Sequence, residues 1–165
     1  MKKNVSQKDI AAKVGVSTAL VSYVLNNKME GRINKEMAAR IRAAAEELNY
    51  RPNMIARSLS LSKTYTIGLV LADISNHFSS QIARIVENEA NKYGYTVIMG
   101  STDENADKAK NLIQHFLNRQ VDGLLLGLPD DAENEVLYLK KLGIPFVLFD
   151  RYFPTIPTNV VDIDN

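Results

Sequence analysis

Cysteine is absent from the 165 residues, and histidine occurs only twice, at His77 and His115. The first absence excludes disulfides, thiolate metal sites and a cysteine nucleophile. The two histidines are separated by a helix-like and a strand-like stretch, so the sequence holds no metal-spaced cluster. No apolar run approaches the roughly 20 residues that a membrane-spanning helix needs. The opening residues, Met1 to Asp9, are basic, but no apolar stretch of the kind a secretory signal requires follows them. There is neither a Gly-x-x-x-x-Gly-Lys-[Ser/Thr] phosphate loop nor a Gly-x-Ser-x-Gly elbow. These gaps point away from an enzyme, a cofactor, a metal site and a membrane partner, and they fit a cytoplasmic protein.

Net charge is also nearly lacking, at +1, but that figure averages two unlike parts. Residues 1–63 carry 12 Lys and Arg against five Asp and Glu, which gives +7; residues 64–165 carry eight against 14, which gives −6. Such asymmetry points to a polyanion-binding head on a separate body.

The basic part contains helix signals. Ser6 with Asp9 forms a Ser-x-x-Asp capping box ahead of Gln7 to Val14, where Ile10, Ala11 and Val14 make one apolar stripe. Gly15 supplies a turn with Val16 beneath it. Ser17 caps a second helix, Thr18 to about Asn26, with Leu20, Val21, Val24 and Leu25 at helical spacing. Two short helices around a glycine turn predict a helix-turn-helix, whose second helix enters the DNA major groove. Asn34 caps a third helix, Lys35 to about Leu48, with Met37, Ile41, Ala44, Ala45 and Leu48 inward and Arg40 and Arg42 outward. Beyond it, Pro52 disfavours helix at Arg51, and Asn53 can cap a further helix of only about two turns. A helix that short is marginal alone, so it is expected to form on DNA or a partner.

The stretch Val5 to Asn26, with Asp9-Ile10-Ala11, Gly15-Val16-Ser17 and Val21-Ser22-Tyr23-Val24-Leu25-Asn26, resembles the head of LacI/GalR transcriptional regulators. Tyr50-Arg51-Pro52-Asn53 with Ala56-Arg57-Ser58-Leu59 is similar to that family's hinge helix. Thr66-Ile67-Gly68-Leu69-Val70, Asp73-Ile74-Ser75-Asn76 and Val121-Asp122-Gly123 continue the likeness in order along the chain. The resemblance implies that Ser17, Thr18, Ala19 and Ser22 face the groove or its phosphates, and that Ser6 and Asn26 touch the DNA backbone. Small hydroxyls and helix N-terminal amides suit phosphates, which set register without reading bases. Ser6 and Ser17 are equally N-caps, and one residue can serve both ends.

Leu59 resembles a wedge pushed between base pairs in the minor groove, with Ala56 allowing close approach and Arg57 beside the phosphates. Packing of Leu59 between hinge and core is the other reading. Asn53 belongs to the same hinge set. Tyr23 stands where the family commonly has Arg, and a phenol cannot make Arg's bidentate bond to guanine. The turn from Asn27 to Ile33 is longer than usual and Met37 replaces a frequent polar contact; Lys28 and Arg32 are expected to restore phosphate attraction there.

After the polar joint Ser60 to Thr64 the period changes. Tyr65–Ala72, Thr96–Gly100, Gly123–Gly127 and Pro145–Phe149 read as strands, with one more starting at Val160 to Ile163. Phe78–Tyr93 (Ile82, Ile85, Val86 and Ala90 inward), Asn105–Asn118 (Ala109, Leu112, Ile113 and Phe116) and Ala132–Lys141 read as helices. That alternation predicts a parallel sheet with helical crossovers.

The expected fold is therefore an all-α helix-turn-helix head (1–50) and a hinge helix and linker (51–63). An α/β parallel sheet (64–165) follows, an incomplete N-terminal lobe of periplasmic-binding-protein-like type. Ligands of such sheets sit beyond the carboxyl ends of the strands. Asp73–Phe78, Ser101–Glu104, Gly127–Asp130 and Asp150–Phe153 are expected at that edge. Phe78, Asp150 and Arg151 are the candidate effector contacts; Phe78 as core and Asp150 as a turn cap are the competing readings. The resemblance implies a homodimeric repressor on a near-palindromic double-stranded DNA operator, controlled by a sugar, nucleoside or similar small molecule. The alternative is a periplasmic-type sugar-binding protein without DNA function, which would leave residues 1–63 without a task. Because family members run well beyond this length, the chain is expected to be an N-terminal portion.

Overall fold

Caps chosen by the sequence cut the N-terminal part into three short helices. The computed structural model describes residues 5–27, 32–53, 58 and 62–162, in two compact units, Met1–Asn53 and Met54–Asn165. The first holds α1 (Gln7–Val14), α2 (Thr18–Leu25) and α3 (Lys35–Glu47). At the start of α1 the Asp9 carboxylate accepts both the backbone N–H (2.8 Å) and the hydroxyl (2.7 Å) of Ser6. Gly15 closes α1 at φ 77°, a left-handed conformation that costs glycine little, and its N–H returns to Ala11 O. Ser17 Oγ accepts Leu20 N–H at 3.2 Å to open α2, and Asn34 Oδ1 accepts Glu36 N–H at 2.8 Å to open α3.

Ile10, Ala11, Val21, Val24, Ile41, Ala44 and Ala45 form the core of this unit, closed by Val14, Leu20, Met37, Leu48 and Tyr50. Ile10, Val21 and Ile41 are wholly excluded from water. Each such side chain contributes roughly 1.5–3 kcal/mol. Lys13 reaches Glu47 at 2.5 Å, tying α1 to α3.

The second unit is a five-stranded parallel sheet in the order β2-β1-β3-β4-β5, made of β1 (Thr66–Leu71), β2 (Thr96–Ser101), β3 (Gly123–Leu126), β4 (Phe146–Phe149) and β5 (Val160–Val161). Between them run α4 (His77–Lys92), α5 (Ala106–Asn118) and α6 (Glu133–Leu142). Alternation along the strands sorts the two faces. Val70, Leu124, Leu126 and Leu148 pack with Ile113 and Phe116 of α5 and Val136 and Leu139 of α6. Leu69 and Leu71 point the other way, to Ala83 and Val86 of α4, with Val97, Leu125 and Phe149. Helices thus cover both faces, and the chain changes face at β1 and β3, the neighbouring strands where the order reverses.

Ile85 was expected inward but is 57% exposed, because α4 meets the sheet through Ser79, Ala83 and Ala90. These small side chains admit close approach and turn the helix so that Ile82 and Val86 are only half-buried. The strand expected from Val160 is observed over two residues, and Ile163 lies outside the described residues.

Candidate functional site

On the first unit the site is the solvent face of α2. Val21 and Val24 go into the core, and this leaves Thr18, Ala19, Ser22, Tyr23 and, just past the helix, Asn26 along the opposite side. Their spacing, i, i+1, i+4, i+5 and i+8, is one helical face. Thr18 and Ala19 are exposed at the helix start, Tyr23 is 39% exposed, and Ser22 is half-buried. The first turn carries no acidic residue, so nothing there offsets the positive end of the helix, and Ser17 Oγ takes up only the Leu20 amide. Asn26 Nδ2 donates to Ser22 O (2.8 Å) and Ser22 Oγ (3.2 Å), which holds both side chains in one orientation. The single Ser6 hydroxyl proton already goes to Asp9, so a phosphate contact from this hydroxyl has to displace that bond.

Elsewhere in this unit the cations Lys8, Arg32, Lys35, Arg40, Arg42 and Arg51 are exposed. Arg42 donates to Asn27 Oδ1 at 3.2 Å, and Asn27 is left-handed at φ 52°. Met37, read as a replaced polar contact, packs against the core of the unit. Asn53 is exposed. Lys28, Ala56, Arg57 and Leu59, and with them the hinge helix, lie outside the described residues.

In the second unit the loops after β1, β2, β3 and β4 gather at one edge of the sheet. Asp73 accepts Ser75 N–H and Oγ–H, both at 2.8 Å, and Asn76 Oδ1 caps α4 through Phe78 N–H at 2.9 Å. Ser101 Oγ accepts Ile74 N–H (3.2 Å) and donates to Asp103 Oδ1 (2.6 Å). Asp103 also takes the Lys108 ammonium, and that bond, followed by the Ser101 one, holds its carboxyl below the usual range. Phe78 is half-buried and Asp150 is exposed.

Arg151 donates from Nη1 and Nη2 to the two oxygens of Glu104, at 2.7 and 2.8 Å, with Asp130 at 3.9 Å. The Glu104 bonds, opposed by partial burial, raise the guanidinium above its ordinary pKa. Asp103, Glu104 and Asp150 all have positive φ, 51°, 55° and 69°. Strained non-glycine backbone of this kind concentrates at functional edges. The structure thus brings Arg151 to Glu104, a partner no local motif announces, and places Asp150 beside it on a left-handed turn. The partner could have been sought only among acidic residues in the other loops of the same edge.

A helix-turn-helix unit whose second helix keeps one face exposed, followed by a sheet wound on both faces with its loops at one edge, is the architecture of a helix-turn-helix head followed by a periplasmic-binding-protein-like lobe. Residues 6–53 match the bacterial regulatory proteins of the lacI family, and residues 64–165 match the periplasmic binding proteins and sugar binding domain of LacI family. The chain belongs to the LacI family. It is 36% identical over 98% of its length to catabolite control protein A of Priestia megaterium, covering 48% of that protein. It is 41% identical over 88% of its length to the ribose operon repressor of Halalkalibacterium halodurans, covering 42% of it. The lac repressor dimer bound to operator and the anti-inducer ONPF superposes with a TM-score of 0.82 at 26% identity, over 97% of this chain and 48% of that one. The chain thus spans about half the length of the relatives it matches.

Proposed function

We propose that this chain is the DNA-reading and partial effector-binding portion of a sequence-specific transcriptional regulator, a repressor that works in the cytoplasm as a homodimer on a near-palindromic operator. The observation that carries this reading is the single solvent face of α2, with Thr18, Ala19, Ser22, Tyr23 and Asn26 aligned on a +7 segment. Its hydroxyls and N-terminal amides suit phosphate, and Tyr23 is the largest side chain able to meet a base edge. Relatives named as operon repressors and the operator-bound lac repressor support the same reading.

The strand-end edge is the effector side, with Phe78, Asp150 and Arg151 as its contacts. A sugar, nucleoside or similar hydroxyl-rich molecule fits carboxylate acceptors, and the match of residues 64–165 to the periplasmic binding proteins and sugar binding domain of LacI family supports that class. Effector binding shifts the populations of DNA-competent and incompetent forms through the hinge, where Asn53, Ala56, Arg57 and Leu59 act.

The test is binding of the chain to a duplex across a salt series. Each neutralised phosphate adds about 0.9 to the slope of log affinity against log salt, so several Lys and Arg contacts give a steep fall. A flat response overturns the reading.

A further inference from the structure

Asp122 makes contacts that neither the helix-turn-helix nor the effector edge explains. Its Oδ1 accepts Thr64 N–H at 2.7 Å and the Thr64 hydroxyl at 2.9 Å, and its Oδ2 accepts Tyr65 N–H at 2.9 Å. Its own N–H donates to Thr66 O at 2.8 Å. One residue therefore holds three consecutive positions at the place where the joint enters β1. Thr64 Oγ1 also lies 2.9 Å from Gln120 O, a second acceptor from the same turn.

The backbone explains why a carboxylate is needed there. Tyr65 is left-handed at φ 53°, which takes the chain out of the β1–β3 ladder one residue before Thr66. The Thr64 and Tyr65 amides thus lose strand partners, and buried or half-buried N–H groups require acceptors. Asp122 supplies them on one side. On the other, Tyr65 O accepts Thr96 N–H at 2.9 Å, and the Tyr65 ring lies against Tyr95 with centroids 5.5 Å apart. Ser62 is left-handed as well, at φ 51°. Two non-glycine residues in this conformation within four positions persist only where surroundings over-determine them.

We propose that Asp122 is a positioning residue for DNA recognition: its clasp on Thr64 and Tyr65 fixes the direction in which the linker leaves the sheet. The inference rests on the DNA-binding reading above. Asp122 stands just before β3, whose other end leads to Asp130, 3.9 Å from Arg151. One four-residue strand, β3, thus connects the linker clasp to the loop that carries Asp130.

The experiment compares the full chain with Asp122→Asn, on the operator the protein itself selects and on random duplex of equal length. Asn keeps one acceptor and turns an NH2 towards donors, so the clasp opens. The ratio of operator to random affinity should fall about 2- to 30-fold, the range that altering a coupling residue gives. Random-DNA affinity should hold, and trypsin should cut after exposed Lys63 faster than in the wild type.

An unchanged ratio with unchanged cleavage overturns the proposal, as does an equal loss on both DNAs. Thr64→Val, which removes the hydroxyl but leaves both backbone amides, should shift the ratio in the same direction and less; it decides the matter if Asp122→Asn does not fold. Failure of the wild type itself to prefer any sequence would instead refute the DNA-binding reading.

Discussion

Arg151 grips Glu104 through two hydrogen bonds of 2.7 and 2.8 Å, although the strands they follow, β4 and β2, are separated in the sheet by β1 and β3. The pair therefore spans about 14 Å of sheet edge, at roughly 4.8 Å per strand. It crosses the ends of the two strands where the winding reverses, the place at which ligands of such sheets bind. Both side chains are partly solvated, so the pair contributes at most about 1 kcal/mol to stability. Its consequence is chemical: Glu104 occupies the guanidinium that would otherwise attract an anionic ligand.

Glu104→Gln should leave stability within about 1 kcal/mol and raise the affinity for sugar phosphates relative to neutral sugars. Calorimetric titration of wild type and variant with matched pairs of sugar and sugar phosphate measures it. An unchanged preference removes Arg151 from the effector contacts.

Much of this arrangement was legible beforehand, and the reasons differ by element. The helices of the first unit announce themselves through Ser6, Gly15, Ser17 and Asn34, whose side chains or φ values act within a few residues. The strands followed from apolar runs and the loops from strand order. Arg151–Glu104 and Asp122–Thr64 were not legible, since they join residues 47 and 58 positions apart and ion pairs or clasps leave no periodic trace. Val121-Asp122-Gly123 was visible as a motif without a role. Ile85 misled because hydrophobic spacing marks an apolar stripe but not which part of it meets the sheet; the small residues Ser79, Ala83 and Ala90 decided that.

Tyr23→Arg should change base preference at one symmetric pair of operator positions and leave the phosphate-driven salt slope nearly as it was. Arg gains bidentate bonding to guanine, worth about 1–3 kcal/mol of discrimination. Sequencing of selected sites from wild type and variant checks this. Identical site logos would mean that Tyr23 does not meet a base.

Gly68→Ala should destabilise the second unit by about 1–3 kcal/mol, the usual result of overpacking. A Cβ there would lie 2.5 Å from Phe116 Cδ2 and 2.6 Å from Leu124 Cδ2, both in the core. Urea unfolding followed by circular dichroism measures the loss. A variant as stable as wild type would show that Phe116 and Leu124 repack freely.

Glu135 provides a pH test. Desolvation raises its carboxyl above the ordinary value, outweighing Lys110, with Asp107 adding to the rise. A raised folded pKa means that the folded state holds the proton more tightly than the unfolded chain. The stability this lends is present below the unfolded value and is lost as pH rises through the folded one. Glu135→Gln should therefore be modestly more stable than wild type at neutral pH and equal to it below about pH 4, near the ordinary glutamate value. Thermal melts at the two pH values compare them; an advantage that persists in acid contradicts the desolvation account.

On the proposed function, the exposed face of α2 reads a particular DNA sequence. The most direct measurement is selection by this chain from a pool of random duplexes, followed by sequencing of what is retained. The retained duplexes should converge on a near-palindrome whose half-sites lie one helical turn, roughly 34–36 Å, apart or a multiple of it. Retention of DNA with no common sequence after repeated rounds would contradict it.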